Sequence, residues 1–184
     1  AFASLTLAGA MAAGVVVLAL RPAAVPFVIE ASETGEARLV GPTQSAYEPS
    51  DAQLSWHLAR FVEMIRALPS DPIVVRQNWL RAYDWATQGG AQVLNAMADE
   101  EKPFDKVGKT TVAVEVLSVV RASPGSFQLR WRESTYSNGT LIDVERFTGV
   151  ATIVIEPASS PERLSKNPLG LYVHSFNWSR DLQQ

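Results

Sequence analysis

The chain has 184 residues, 47% of them hydrophobic, with 16 basic against 19 acidic side chains and no cysteine. That length holds one ordinary domain plus an appendage. The missing cysteines exclude a disulfide framework, a thiolate metal site and a cysteine nucleophile, and the lack of a long basic stripe argues against direct, sequence-specific nucleic-acid binding.

Residues 1–20, AFASLTLAGAMAAGVVVLAL, carry neither charge nor proline. About 20 helical residues at ~1.5 Å each span the roughly 30 Å hydrocarbon core of a bilayer, so a transmembrane helix is expected here. Two rival readings are a signal peptide, although Ala8, Ala10 and Ala12 sit inside the apolar run rather than after it, and a buried core helix, although a soluble domain's helix would show a polar face. No Met or basic flank precedes Ala1, so the run reads as truncated; Arg21 and Pro22 end it without fixing its orientation. Residues 21–48 read as a lead-out with one short strand over Val25–Ala31. Residues 49–184 read as an α+β domain.

Within that domain, Ser50 and Gln53 make a capping-box signature. Leu54, Leu58, Phe61, Ile65 and Leu68 then recur every three to four residues, predicting an amphipathic helix from about 51 to 68. Asp71-Pro72 opens a second helix as cap and first residue, with Val75, Trp79 and Tyr83 as its stripe. Gly89-Gly90 is expected to end it, and AQVLNAMADE from Ala91 to form a short third helix.

From Val107 the period changes to two. Val112, Val114, Val116 and Val120 on one face, with Leu117 and Val119 on the other, predict a central strand covered on both sides for part of its length. After the Pro124-Gly125 turn, Phe127, Leu129 and Trp131 alternate with Gln128, Arg130 and Arg132. Asn138-Gly139 is a type I′ hairpin signal, and a two-residue loop there sets Ser134 opposite Asp143 and Arg132 opposite Glu145. In the next strand, Leu141–Ile155, Gly149 suggests a bulge or bend. Residues 156–167 read as a polar loop. The closing strand puts Tyr172, His174, Phe176 and Trp178 on one face and Val173, Ser175, Asn177 and Ser179 on the other. Three helices packed on the concave side of a curved four-stranded antiparallel meander is the expected architecture.

Candidate chemistry is sparse. His57 and His174 read as structural, and no metal-ligand spacing is present. Asp143 and Glu145 read as partners of Arg130 and Arg132 on a solvated face, while Glu115 interrupts an apolar strand face and is the carboxylate expected to point inward. Phosphate-binding glycine loops and the G-x-S-x-G nucleophile motif are missing. Asn138-Gly139-Thr140 and Asn177-Trp178-Ser179 match the glycosylation pattern but are equally explained by turn and strand chemistry. No catalytic residue, cofactor or metal is expected.

The apolar run, the capped helical layer with WLRAYDWAT, the QLRWRESTYSNG hairpin and the closing NPLGLYVHSFNWSRDL together resemble the TrbF-type conjugal-transfer proteins, bitopic inner-membrane subunits of bacterial type IV secretion systems. The resemblance implies a short cytoplasmic N-terminus, one span and a periplasmic domain with a fold similar to nuclear transport factor 2. It also implies a non-enzymatic scaffold that self-associates and touches other channel subunits, its membrane partner being inner-membrane lipid. An Asn-Pro-x-Gly turn linked to self-association carries over onto Asn167, Pro168, Leu169 and Gly170, with Leu169 expected to be held out on a rigid corner. The same fold houses isomerases and dehydratases, so a membrane-tethered small-molecule enzyme or binding module is the alternative. It would need ionisable groups converging between helices and sheet, where the sequence places Val, Phe, Leu and Trp.

Overall fold

The structure is a computed structural model that describes residues 28–31, 37–41, 49–157 and 160–182. The apolar run at 1–20 lies outside them; among the described residues no helix is long and apolar enough to cross a membrane. In the lead-out, β1 (Val28–Ala31) and β2 (Ala37–Gly41) pair antiparallel as a two-stranded ladder. The sequence suggested only one strand there.

Helix α1 (Asp51–Arg66) starts with the complete capping box: the Ser50 hydroxyl accepts from the Gln53 N–H, and the Gln53 side chain accepts from the Ser50 N–H at 2.8 Å. It stops two residues before Leu68, because Leu68 leaves the helix to exchange backbone hydrogen bonds with Val112 at 2.9 and 3.0 Å. Helix α2 (Pro72–Asp84) is capped by Asp71, which accepts from the Ile73 N–H at 2.8 Å.

Gly89 and Gly90 do not end α2. They lie in the first turn of α3 (Gln88–Glu101), whose cap is Thr87. The reason is close approach: a Cβ on Gly90 would stand 2.1 Å from the Val173 carbonyl oxygen, and one on Gly89 3.1 Å from the His174 ring. These glycines let α3 lie directly on the sheet. A single turn, α4 (Pro103–Lys106), follows.

The sheet is the expected meander, β3 (Thr111–Ser123), β4 (Ser126–Ser137), β5 (Thr140–Ile155) and β6 (Leu171–Arg180) in that spatial order. Consequently β3 is an edge strand rather than a central one. Asn138 and Gly139 both take positive φ, 49° and 78°, as a type I′ turn requires. Polar residues 156–167 contain a short helix, α5 (Pro161–Lys166), whose cap Ser160 accepts from the Arg163 N–H at 3.2 Å.

Three register shifts overturn the simple alternation. Ser137 faces Thr140 and Tyr136 faces Leu141, but Ile142 is then skipped, so Ser134 faces Val144 and Arg132 faces Arg146 instead of Asp143 and Glu145. Leu117 is skipped in β3, which turns Val119 inward and leaves Val120 59% exposed. In β6 His174 is skipped. Leu171 and Val173 face the core before it and Phe176 after it, so the four aromatic-strand residues do not share a face: His174 is exposed and Phe176 buried. A bulge adds one residue to a period of two, and everything beyond it changes side. Gly149 sits in regular register between Leu129 and Trp178; its missing Cβ makes room for the Trp131 indole, from which a Cβ there would stand only 3.0 Å.

The core lies between the helices and this inner face. Leu54, Leu58, Phe61, Val62, Met64 and Ile65 of α1 meet Phe127, Leu129, Trp131, Phe147 and Phe176, with Trp131 stacked on Phe147 at 5.5 Å and Phe61 edge-on to Phe176 at 6.1 Å.

Candidate functional site

Three places could carry function: the Asn-Pro-Leu-Gly corner, the polar cluster between helices and sheet, and the outer face of the sheet.

At the corner, Asn167 follows α5 and is 1% exposed; its Nδ2 donates to the Leu171 carbonyl at 2.7 Å, while Oδ1 is buried without a partner. Gly170 takes φ +60°, a shape other side chains resist, and a Cβ there would stand 2.1 Å from the Glu156 carbonyl oxygen. The Gly170 N–H bonds Asn167 and its carbonyl accepts from Glu156 at 2.8 Å. This tight return turns Leu169 into the core at 4% exposure, so it is not held out on the corner as expected. Only Pro168 of the four is half-buried. Trp85 fastens the turn, its Nε1 donating to the Lys166 carbonyl at 3.0 Å and its own carbonyl accepting from Val173 at 2.8 Å.

The interior is not purely apolar. Arg66, the last residue of α1, sends Nε and Nη2 to the two oxygens of Glu133 at 2.7 and 3.1 Å, and Nη1 to Glu101. Trp131 Nε1 donates to the same Glu133 carboxylate at 2.7 Å, and the guanidinium lies 5.2 Å from the Phe147 ring centroid and 5.3 Å from that of Trp178. Burial opposes the Arg66 charge, but the Glu133 and Glu101 carboxylates outweigh it and hold its pKa above the ordinary value. Earlier on the same helix, His57 is 3% exposed, packed on Trp56 and Trp85 with neither ring nitrogen partnered, and burial pushes its pKa down to about 4.

Glu133 is the site residue that sequence reasoning missed. Its signal was present: it continues the 129, 131, 133 alternation on the inner face of β4. Glu115, the carboxylate expected inside, instead points outward and pairs with Arg132. Glu145 pairs with Arg180 at 2.6 Å, and Asp143 accepts from the Val144 N–H at 2.8 Å, so neither meets Arg130 or Arg132 as expected; the Ile142 bulge moved them off that face. His174 lies outside the core, Nδ1 3.0 Å from Thr87 Oγ1.

On the outer face, Arg130 and Arg132 alternate along β4 and Arg146 stands directly opposite Arg132 on β5. With Val144, Thr148, Asp181 and Leu182 they line an open groove of about 670 Å³.

Comparison with known proteins adds three findings. The family model described as VirB8 protein matches residues 1–181. The conjugal transfer protein TrbF of Rhizobium radiobacter is 29% identical over 161 residues, covering 86% of this chain and 73% of that protein. Among solved structures, the VirB8 protein of Agrobacterium tumefaciens aligns with a TM-score of 0.65 at 16% identity, over 77% of this chain and 99% of its own. The TrwG component of the Bartonella birtlesii type IV secretion system aligns at 0.63 and 16%, over 77% and 99%. These likenesses fix the fold as the α+β arrangement of those domains.

Proposed function

The chain belongs to the VirB8 family and is a conjugal-transfer subunit of a type IV secretion system, and on that premise we propose that it is a non-enzymatic scaffold. Residues 1–20 serve as its inner-membrane span, 21–48 as lead-out and 49–184 as a periplasmic domain that binds copies of itself and other channel subunits. The match over residues 1–181 carries this reading, and the apolarity of residues 1–20 supports the span.

An enzyme on the same fold would need ionisable groups free to act in the interior. Here the interior carboxylate of Glu133 is spent on Arg66 and Trp131, and Arg66 on Glu133 and Glu101, while the one unpartnered interior histidine, His57, is packed on Trp56 and Trp85 and held neutral by burial, a lone group rather than a converging set. This favours the scaffold. The corner of Asn167, Pro168, Leu169 and Gly170 acts in self-association through Pro168 and through the position it imposes on β6, since Asn167, Leu169 and Gly170 are buried.

The test is a donor cell whose copy of this chain is deleted. DNA transfer should be lost and should return with the complete chain, which should fractionate with the inner membrane and cross-link to itself through single introduced cysteines. Normal transfer from the deleted donor would remove the chain from the apparatus.

A further inference from the structure

Two exposed surfaces on opposite layers of the domain are each electrostatically unfavourable alone. On the outer sheet face, Arg132 and Arg146 are directly opposed, a like-charge arrangement that weakens a strand pair. Glu115 satisfies Arg132 and Asp181 stands 3.7 Å from Arg130, whereas Arg146 makes no ion pair among the described residues. On the helical layer, Asp99 and Glu100 occupy the last turn of α3, where the helix dipole disfavours anions and the turn itself holds no basic residue. Neither makes an ion pair among the described residues. Each surface also exposes an apolar anchor: Leu117 is 50% exposed beside the arginines, and Phe104, just past α3, is 49% exposed.

We propose that the arginine groove of one copy receives the Asp99–Glu100–Phe104 knob of a second copy, in a head-to-tail contact. The charge patterns complement each other twice over. The arginine column is bordered by the acids Glu115 and Asp181, and the knob's acids are bordered by Lys102 and Lys106. Those bordering acids also argue against a continuous polyanion or an anionic membrane as the occupant, because either would meet them on both sides. Groove and knob belong to different surfaces of the chain, so the contact is heterologous and propagates into a ring or a filament. This inference rests on the self-association proposed above and adds to it a second contact, separate from the corner at Pro168.

Charge reversal of the full chain tests it, read by sedimentation at a concentration where the parent associates. Arg132→Glu with Arg146→Glu should weaken self-association at least about tenfold, and Asp99→Arg with Glu100→Arg should do the same. All four positions are outside the core, so thermal melting should stay close to the parent's. Mixing the two reversed chains should restore association, since each groove then meets a knob of opposite sign. In the cysteine-free background, a Ser118→Cys chain mixed with an Asp105→Cys chain should form the mixed disulfide at least about tenfold more than either homodimer. A mixture that stays dissociated, or a reversed chain that associates like the parent, overturns the head-to-tail contact while leaving self-association standing. If groove reversal spares association but abolishes binding to anionic vesicles or single-stranded oligonucleotides, the groove serves that ligand and the inference falls. A parent that never associates fails the underlying reading as well.

Discussion

Adjacent residues of one strand make two arginine–glutamate pairs with opposite consequences. Glu133 points inward to Arg66, where the side chains are 9% and 7% exposed; Arg132 points outward to Glu115, where they are 40% and 58% exposed. The inner pair has lost its water and replaced it with two further hydrogen-bonding partners and two aromatic faces. Its outer counterpart keeps its water. Chemistry is the same on both sides of β4, and burial alone decides whether the pair holds the fold or leaves a surface open to assembly.

The most decisive way to break this comparison is Glu133→Ala. It leaves the buried Arg66 with only Glu101 and the Trp131 N–H with no partner, and should cost about 3 kcal/mol in denaturant unfolding. Arg66→Met combined with Glu133→Leu should recover the part of that loss owed to the buried charge, because it removes both charges together, while the Trp131 N–H stays without its acceptor. If the single variant costs under about 1 kcal/mol, water reaches the cluster and the inner pair is no different from the outer one.

Of similar size is the effect at the corner. Leu169→Ala should destabilise by about 2 to 5 kcal/mol, the range for emptying a packed aliphatic site. A core leucine thus takes the place of the projecting one expected from the sequence. Melting that is unchanged would put Leu169 back on the surface.

These two sites show what was legible. The capping box, the Asp71-Pro72 start, the Asn138-Gly139 turn and the meander all follow from local rules, in which a few neighbouring residues specify their own backbone. Face assignments failed wherever a bulge intervened, at Leu117, Ile142 and His174, because a skipped residue depends on the partner strand and leaves no periodic trace. Gly89-Gly90 was misread for the same reason: what they accommodate is the Val173 carbonyl, on a strand far away in sequence. The Asn-Pro-Leu-Gly motif was visible, but the direction of Leu169 hung on a contact between Gly170 and Glu156.

A third measurement sharpens the comparison by adding an inner cation-forming group with no partner. The His57 pKa is depressed to about 4 from 6.5, so above pH 6.5 the ring is neutral in both folded and unfolded chains and contributes nothing. Between pH 6.5 and 4 the unfolded chain binds the extra proton, and stability should fall by roughly 3 kcal/mol across that window. His57→Phe should flatten this part of the pH profile. An equally steep profile in the variant would assign the slope to carboxylates.

The smallest effect is expected where the outer pair is broken. Glu115→Gln removes a carboxylate from an exposed guanidinium that water can still solvate, so unfolding stability should change by only about 0.2 to 1 kcal/mol, and less in high salt. Its consequence should appear elsewhere. Arg132 is freed to join Arg146 as a second unpaired cation, but the groove loses the acid that would face the knob's lysines, so the proposed head-to-tail contact should change in its salt dependence while melting does not. The double comparison of Glu115→Gln with Glu133→Gln separates the two roles of β4: the outer change should move association while sparing melting, and the inner change should move melting first. A Glu115→Gln chain that loses several kcal/mol would mean that the outer face stabilises the fold as much as the inner one does.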